Sequence, residues 1–127
     1  MKTVNRVTLL GNTTRDPELK ATTGGQPVCT FGLATNRVWK DAGGERQSLA
    51  EFHNLVAWGK LAEFCAQTVK KGKPLYVEGY LKTRSWDAPD GQKHVRTEVI
   101  VEDVVLLSPR EAADDVAQAS APEEVPF

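Results

Sequence analysis

A single segment of the chain carries helical spacing, and it interrupts sequence that is otherwise built for strands. In KLAEFCAQTVKKG, residues 60–72, Leu61, Phe64, Cys65 and Val69 recur at three- and four-residue intervals and so share one stripe of a helix. Lys70 and Lys71 fall near its C-terminal end, where the helix dipole favours cations, and Gly72 supplies a stop.

Around that segment the pattern has a period of two. TVNRVTLLGN (3–12) reads as a strand, and a second extended stretch follows Asp16-Pro17 and ends at the turn TTGGQP (22–27), giving a strand, a kink and a hairpin. In VCTFGLATNRVW (28–39), Cys29, Phe31 and Leu33 lie on one side and Val28, Thr30 and Gly32 on the other. SLAEFHNLVAW (48–58) puts Phe52, Asn54, Val56 and Trp58 on one face and Glu51, His53, Leu55 and Ala57 on the other; both faces carry apolar residues, so parity alone leaves the core side open. PLYVEGYLKTRSW (74–86) and KHVRTEVIVEDVVLL (93–107) are two further strands, joined by the turn DAPDGQ.

Five strands with one helix between the third and fourth is the order of the oligonucleotide-binding barrel, a small all-β Greek-key fold. The chain has 127 residues, 40% of them apolar, which suits one such domain over residues 1–107. From Ser108 the β-branched and aromatic residues nearly vanish, and 108–127 reads as a disordered acidic extension. No stretch approaches the ~20 apolar residues needed to cross a bilayer, and MKTVNRVTLL lacks the features of a secretion signal, so a cytoplasmic protein is expected. Cys29 and Cys65 sit among apolar neighbours and are too few for a structural zinc site; two reduced, buried thiols is the simpler reading, with a disulfide as the alternative.

The net charge of −1 conceals a split. Up to Leu107 there are 15 Lys and Arg against 12 Asp and Glu, whereas beyond it Arg110 faces five carboxylates. A mildly basic body with an acidic tail suggests an anionic partner for the first and a cationic one for the second. Catalysis finds no parts. His53 and His94 are the only histidines, no HExxH or GxSxG occurs, and the Gly-Lys of WGKLAE lacks the preceding glycine loop of a phosphate-binding site. A non-enzymatic protein needing neither metal nor cofactor is expected.

The aromatic residues say more. Lys82, Arg84 and Trp86 are spaced two apart, so an extended backbone projects two cations and an indole from one face, where cations meet phosphates and the ring stacks on a base. Arg37, Trp39 and Lys40 repeat the combination at the end of the second strand, and Phe52, Trp58 and Lys60 on or just after the third. Any one cluster can be a core aromatic beside a solvated cation; three together favour a stacking surface. Unpaired strands suit it better than duplex, because their bases are free to stack and no element here is suited to reading a major groove.

NRVTLLGNTTRDPEL, FGLATNRVW, EFHNLVAWGKLAEF, KKGKPLYVEGYLKTRSW and the acidic Pro-Phe ending, taken in order, resemble the bacterial single-stranded DNA-binding proteins over nearly the whole chain. The resemblance implies a homotetramer that coats single-stranded DNA during replication, recombination and repair, without strong sequence preference. Trp39, Phe52, Trp58 and Trp86 match the family's stacking aromatics; Arg6, Lys40, Lys60, Lys71, Lys82 and Arg84 match basic positions on or near the DNA path; and His53 matches a subunit-interface histidine. Asn54 departs from a frequent arginine, and about 19 residues replace the usual long linker before the tip.

The resemblance also gives the ending a purpose. In the tip Glu123–Phe127, which includes Val125, Glu123 and Glu124 would steer toward a basic rim, Pro126 would restrict the backbone, and Phe127 would fill an apolar pocket on replication, recombination or repair proteins while its carboxylate meets a cation. The alternative is a terminus folded onto its own barrel.

Overall fold

The computed structural model describes residues 1–107; the acidic segment 108–127, with the expected disordered tail and its tip, lies outside the described residues. Five strands and one helix follow in order: β1 (Val7–Ala21), β2 (Pro27–Lys40), β3 (Arg46–Trp58), α1 (Gly59–Thr68), β4 (Pro74–Asp87) and β5 (Lys93–Leu106). They close a barrel in the order β1-β2-β3-β5-β4, with β4 returning to β1.

Closure depends on β1 serving two neighbours. Its first half, Val7 to Asn12, pairs with β4, and its second half, Asn12 to Ala21, pairs with β2. Two register shifts, between Thr13 and Arg15 and between Arg15 and Glu18, bend the strand between those duties. The kink expected near Asp16-Pro17 is therefore a bulged segment inside one 15-residue strand, and a proline is tolerated there because the ladder is already interrupted. On the far side, β3 and β5 complete the barrel through a short parallel pairing, Leu55 with Val99 and Val56 with Ile100.

The three hairpins are made by turns of one design. In each, the first residue's N–H bonds to the carbonyl four residues on, namely Thr22 to Gln26, Asp41 to Glu45 and Ala88 to Gln92. The fourth residue is a glycine with φ of 84 to 86° (Gly25, Gly44 and Gly91), a left-handed conformation that costs glycine little.

The core confirms the period read from β2. Cys29, Phe31 and Leu33 are fully buried and pack with Leu55, Ala57, Leu75, Val77, Val99 and Val101. The side left open on β3 is settled by the same contacts: Leu55 and Ala57 point inward, while Phe52 and Trp58 remain exposed. Helix α1 plugs the barrel with Ala62 and Cys65, followed by Val69. Cys29 and Cys65 are both free and buried.

The helix is shorter than its spacing suggested. It ends at Thr68, Val69 caps it in an extended conformation, and no basic residue lies in its last turn. Lys70 and Lys71 instead belong to the connection into β4, which is stapled to β1: Lys71 N–H donates to Asp16 Oδ1 at 3.0 Å and Gly72 N–H to the Thr13 carbonyl at 2.7 Å. Among the described residues, no helix is long and apolar enough to cross a membrane.

Candidate nucleic-acid interface

Beside the β3–β5 seam, the outer surface of the barrel carries a groove of about 320 Å³ crossed by four strands. Val28 and Thr30 come from β2, Val56 and Trp58 from β3, Glu98 and Ile100 from β5, and Lys82 and Arg84 from β4. Register explains the gathering: Val28 pairs with Trp58, Thr30 with Val56, Val56 with Ile100 and Lys82 with Glu98. The floor is apolar, with cations on one wall and an indole on the other. Three of the expected site residues, Trp58, Lys82 and Arg84, meet here.

Phe52 extends the same face up β3, three alternating positions from Trp58, and is 71% exposed. Trp58 is 43% exposed and Trp86 39%, so neither ring is consumed by the core. Trp86 lies on the β4 face that carries Lys82 and Arg84, two residues beyond Arg84. The Arg84 guanidinium carbon stands 4.6 Å from its ring centroid, and the His94 ring, its cross-strand partner, stacks at 5.6 Å with planes 20° apart.

Arg84 is not a free cation. Its Nε donates to Glu98 Oε1 at 3.0 Å and its Nη2 to Oε2 at 3.3 Å, while Arg96 Nη1 approaches the same carboxylate at 3.9 Å. The Glu98 side chain is only 8% exposed, so a buried carboxylate with two arginines organises the groove's cationic wall. Lys82 takes part in none of the ion pairs among the described residues.

The cluster on the β2–β3 ribbon divides. Arg37 and Trp39 share the alternation of Cys29, Phe31 and Leu33, whereas Phe52 and Trp58 share the other face. Trp39, half-buried, is held by Arg37 at 4.8 Å over its ring, on the ribbon surface opposite Phe52. Lys40 ends β2 beside a turn ordered by Asp41. That carboxylate accepts from the N–H groups of Glu45 and Gly43, both at 2.9 Å, and from Gln47 at 3.0 Å. The Glu45 bond is the main reason the acid is held below the usual carboxylate range.

The remaining cations are dispersed. Lys60 is exposed in the first turn of α1, one residue past Gly59, and Lys71 sits on the stapled connection beside Asp16. Arg6 precedes β1, where Asn5 both donates to and accepts from the Leu81 backbone. Its charge is felt at Tyr76, whose phenol is raised chiefly by its hydrogen bond to Glu78. The pairing of Val7 with Gly79 sets Arg6 beside Tyr80 of β4, and Arg6 is not among the residues that line the groove. His53 is half-buried with Nε2 3.0 Å from Thr35 Oγ1. Thr35 lines a second cleft of about 420 Å³ with Leu10, Asn12, Ala34, Asn36, Pro74 and Leu107.

Sequence reasoning gave Glu98, Arg96 and His94 no place in the site. Their signal was present in KHVRTEV: folding it against LKTRSW about the DAPDGQ turn sets His94 opposite Trp86, Arg96 opposite Arg84 and Glu98 opposite Lys82. Val28, Thr30, Val56 and Ile100 were legible only as strand residues, because the groove floor depends on the nonlocal β3–β5 pairing.

Comparison with known proteins agrees with this geometry. Over residues 4–107 the chain matches the sequence model of the single-strand binding protein family. It is 42% identical over 118 residues to single-stranded DNA-binding protein 1 of Chlorobaculum tepidum, covering 92% of this chain and 73% of that protein. It is 45% identical over 107 residues to the single-stranded DNA-binding protein of Bacillus cereus, covering 84% of this chain but only 62% of the relative. Among solved structures, a chain from the Plasmodium falciparum SSB complex with ssDNA superposes with a TM-score of 0.77 at 33% identity, covering 85% of this chain and 98% of that one. With the barrel order and the matched span in agreement, the chain belongs to the single-strand binding protein family.

Proposed function

We propose that this chain binds and protects single-stranded DNA without strong sequence preference, as an unpaired strand stacking its bases on Phe52, Trp58 and Trp86 while Lys82 and Arg84 face its phosphates. One observation carries the reading: exposed rings and cations occupy one outer face around an apolar groove. A monomeric fold gains nothing from leaving such rings in water, whereas base–aromatic stacking is worth roughly 1–3 kcal/mol per base. Trp39, Arg37, Lys40 and Lys60 extend the path around the ribbon and helix, and Arg6 and Lys71 serve a strand that wraps further round the barrel.

Wrapping implies several copies. The cleft beside Thr35 and His53, with Leu10, Val105 and Leu107 exposed, supports assembly into a homotetramer. The tip Glu123–Phe127 recruits replication, recombination and repair proteins, and the acidic tail competes weakly with DNA for the barrel's cations.

The direct test is fluorescence anisotropy with a dT oligonucleotide, a duplex of equal length and a matched RNA, each at two salt concentrations, with mass followed by light scattering. Tightest binding to dT, weakening as salt rises, at a mass four times that of one chain, supports the reading; equal binding to duplex, or preference for RNA, contradicts it. For the tip, deleting residues 125–127 should abolish partner capture and leave the melting temperature unchanged, whereas retained capture with a lowered melting temperature means the terminus packs on its own barrel.

A further inference from the structure

We infer that Arg15 is a further phosphate-binding residue, reaching from β1 over β2 to supply the cation that the aromatic stretch of β3 lacks. This rests on the single-stranded DNA reading above. Across the outer face of β2 and β3 the facing pairs are Val28 with Trp58, Thr30 with Val56, Gly32 with Asn54, and Ala34 with Phe52. All eight are neutral. A strand stacked on Phe52 and Trp58 would carry its intervening phosphates past a surface to which neither strand contributes a charge.

The bulge in β1 fills that gap. Thr13 pairs with Leu33 and Arg15 with Gly32, so Thr14 is an extra residue in the ladder, and a bulge of this kind re-aims the side chain that follows it. Both Thr14 and Arg15 converge on Gly32: a Cβ added there would collide with Thr14 Oγ1 and with Arg15 Nη1. Phe31 and Leu33 point into the core, so that missing Cβ would point outward, and the guanidinium occupies the outer surface that glycine leaves open. In register, the next residue on that surface is Asn54, midway between Phe52 and Val56.

Arg15 is also available. It is exposed, and none of the ion pairs among the described residues involves it, in contrast to Arg84. Its planar fork matches a phosphate, and glycine at 32 is the feature that leaves room for it over the strand.

The experiment measures dT-oligonucleotide affinity of the full chain at several salt concentrations. Arg15→Ala should weaken binding on the order of tenfold at low salt, where a charge-assisted contact is least screened. It should also make the log–log salt slope shallower by about 0.7, one phosphate on a single strand. Gly32→Ala, which displaces the guanidinium, should act in the same direction and add little on top of Arg15→Ala. Arg15→Ala/Asn54→Arg should recover the slope, and Lys20→Ala, removing a charge from the same strand, should leave it unchanged. Parent-like affinity and slope in both Arg15→Ala and Arg15→Gln overturn this inference alone, as does an equal slope change in Lys20→Ala. A parent chain that does not bind dT overturns it together with the reading on which it rests.

Discussion

Arg84 reaches diagonally across the β4–β5 hairpin to Glu98, joined to it by two hydrogen bonds of 3.0 and 3.3 Å, and the Glu98 carboxylate is the buried charge of the groove. The pair fixes the guanidinium that stands against Trp86. It also withholds most of that cation's charge from a passing phosphate. Glu98→Gln keeps the shape and releases the charge. The expected outcome is tighter dT binding, with a salt slope steeper by up to about 0.7 as Arg84 engages its phosphate fully, and a melting temperature lowered by the loss of roughly 1–3 kcal/mol, read by anisotropy and thermal melts.

The exposed rings should separate binding from stability. Phe52→Ala and Trp86→Ala should each lose roughly 1–3 kcal/mol of affinity for dT while melting near the parent temperature, because neither ring belongs to the core. Trp39 lies on the other surface of the ribbon. Its truncation should cost affinity only for oligonucleotides long enough to pass the ribbon's edge, which a length series of dT oligomers measures.

Phe31 predicts the opposite behaviour. It is fully buried between β2 and its neighbours, and Phe31→Ala leaves a cavity that the closed barrel cannot collapse. A loss of roughly 3–5 kcal/mol in denaturant titrations is expected, with any binding defect recovered where the variant is folded.

The buried thiols predict an alkaline weakness. Burial, with a smaller contribution from Cys29, pushes Cys65 up to about 12, and burial raises Cys29 as well. Above the ordinary thiol value of 9.0 the unfolded chain loses this proton while the folded chain keeps it. Stability is therefore complete below pH 9 and falls between about 9 and 12, with a slope of up to ~1.4 kcal/mol per pH unit from Cys65. Cys65→Ala should flatten that slope in denaturant titrations over pH 8 to 11, and a thiol reagent should label Cys65 in the parent only as the chain unfolds.

Much of the architecture could be read from alternation alone. Alternation set Cys29, Phe31 and Leu33 together on one side of β2, the side that forms the core, and the one change of period placed α1 between β3 and β4. Where both faces of a strand were apolar, as on β3, the choice waited for partners: Leu55 meets Val99 across the closing seam, a contact 44 residues distant in sequence. The end of α1 was misplaced because the dipole argument ranks lysines by charge, whereas Val69 is drawn into the core and the connection is anchored by Asp16 and Thr13. The cation clusters were legible as neighbours along the chain. Their faces were not, since Arg84 is claimed by Glu98 across a hairpin, and Arg15 reaches its place through a bulge.

The central claim is a path: an unpaired strand crossing the face that carries Phe52, Trp58 and Trp86. Ultraviolet crosslinking of a dT oligonucleotide to the full chain, with the modified residues located by mass spectrometry, tests it most directly. The account predicts adducts at Phe52, Trp58 and Trp86, suppressed by excess unlabelled dT. Adducts confined to the cleft around Leu10, Pro74 and Leu107, with those three rings unmodified, would contradict it.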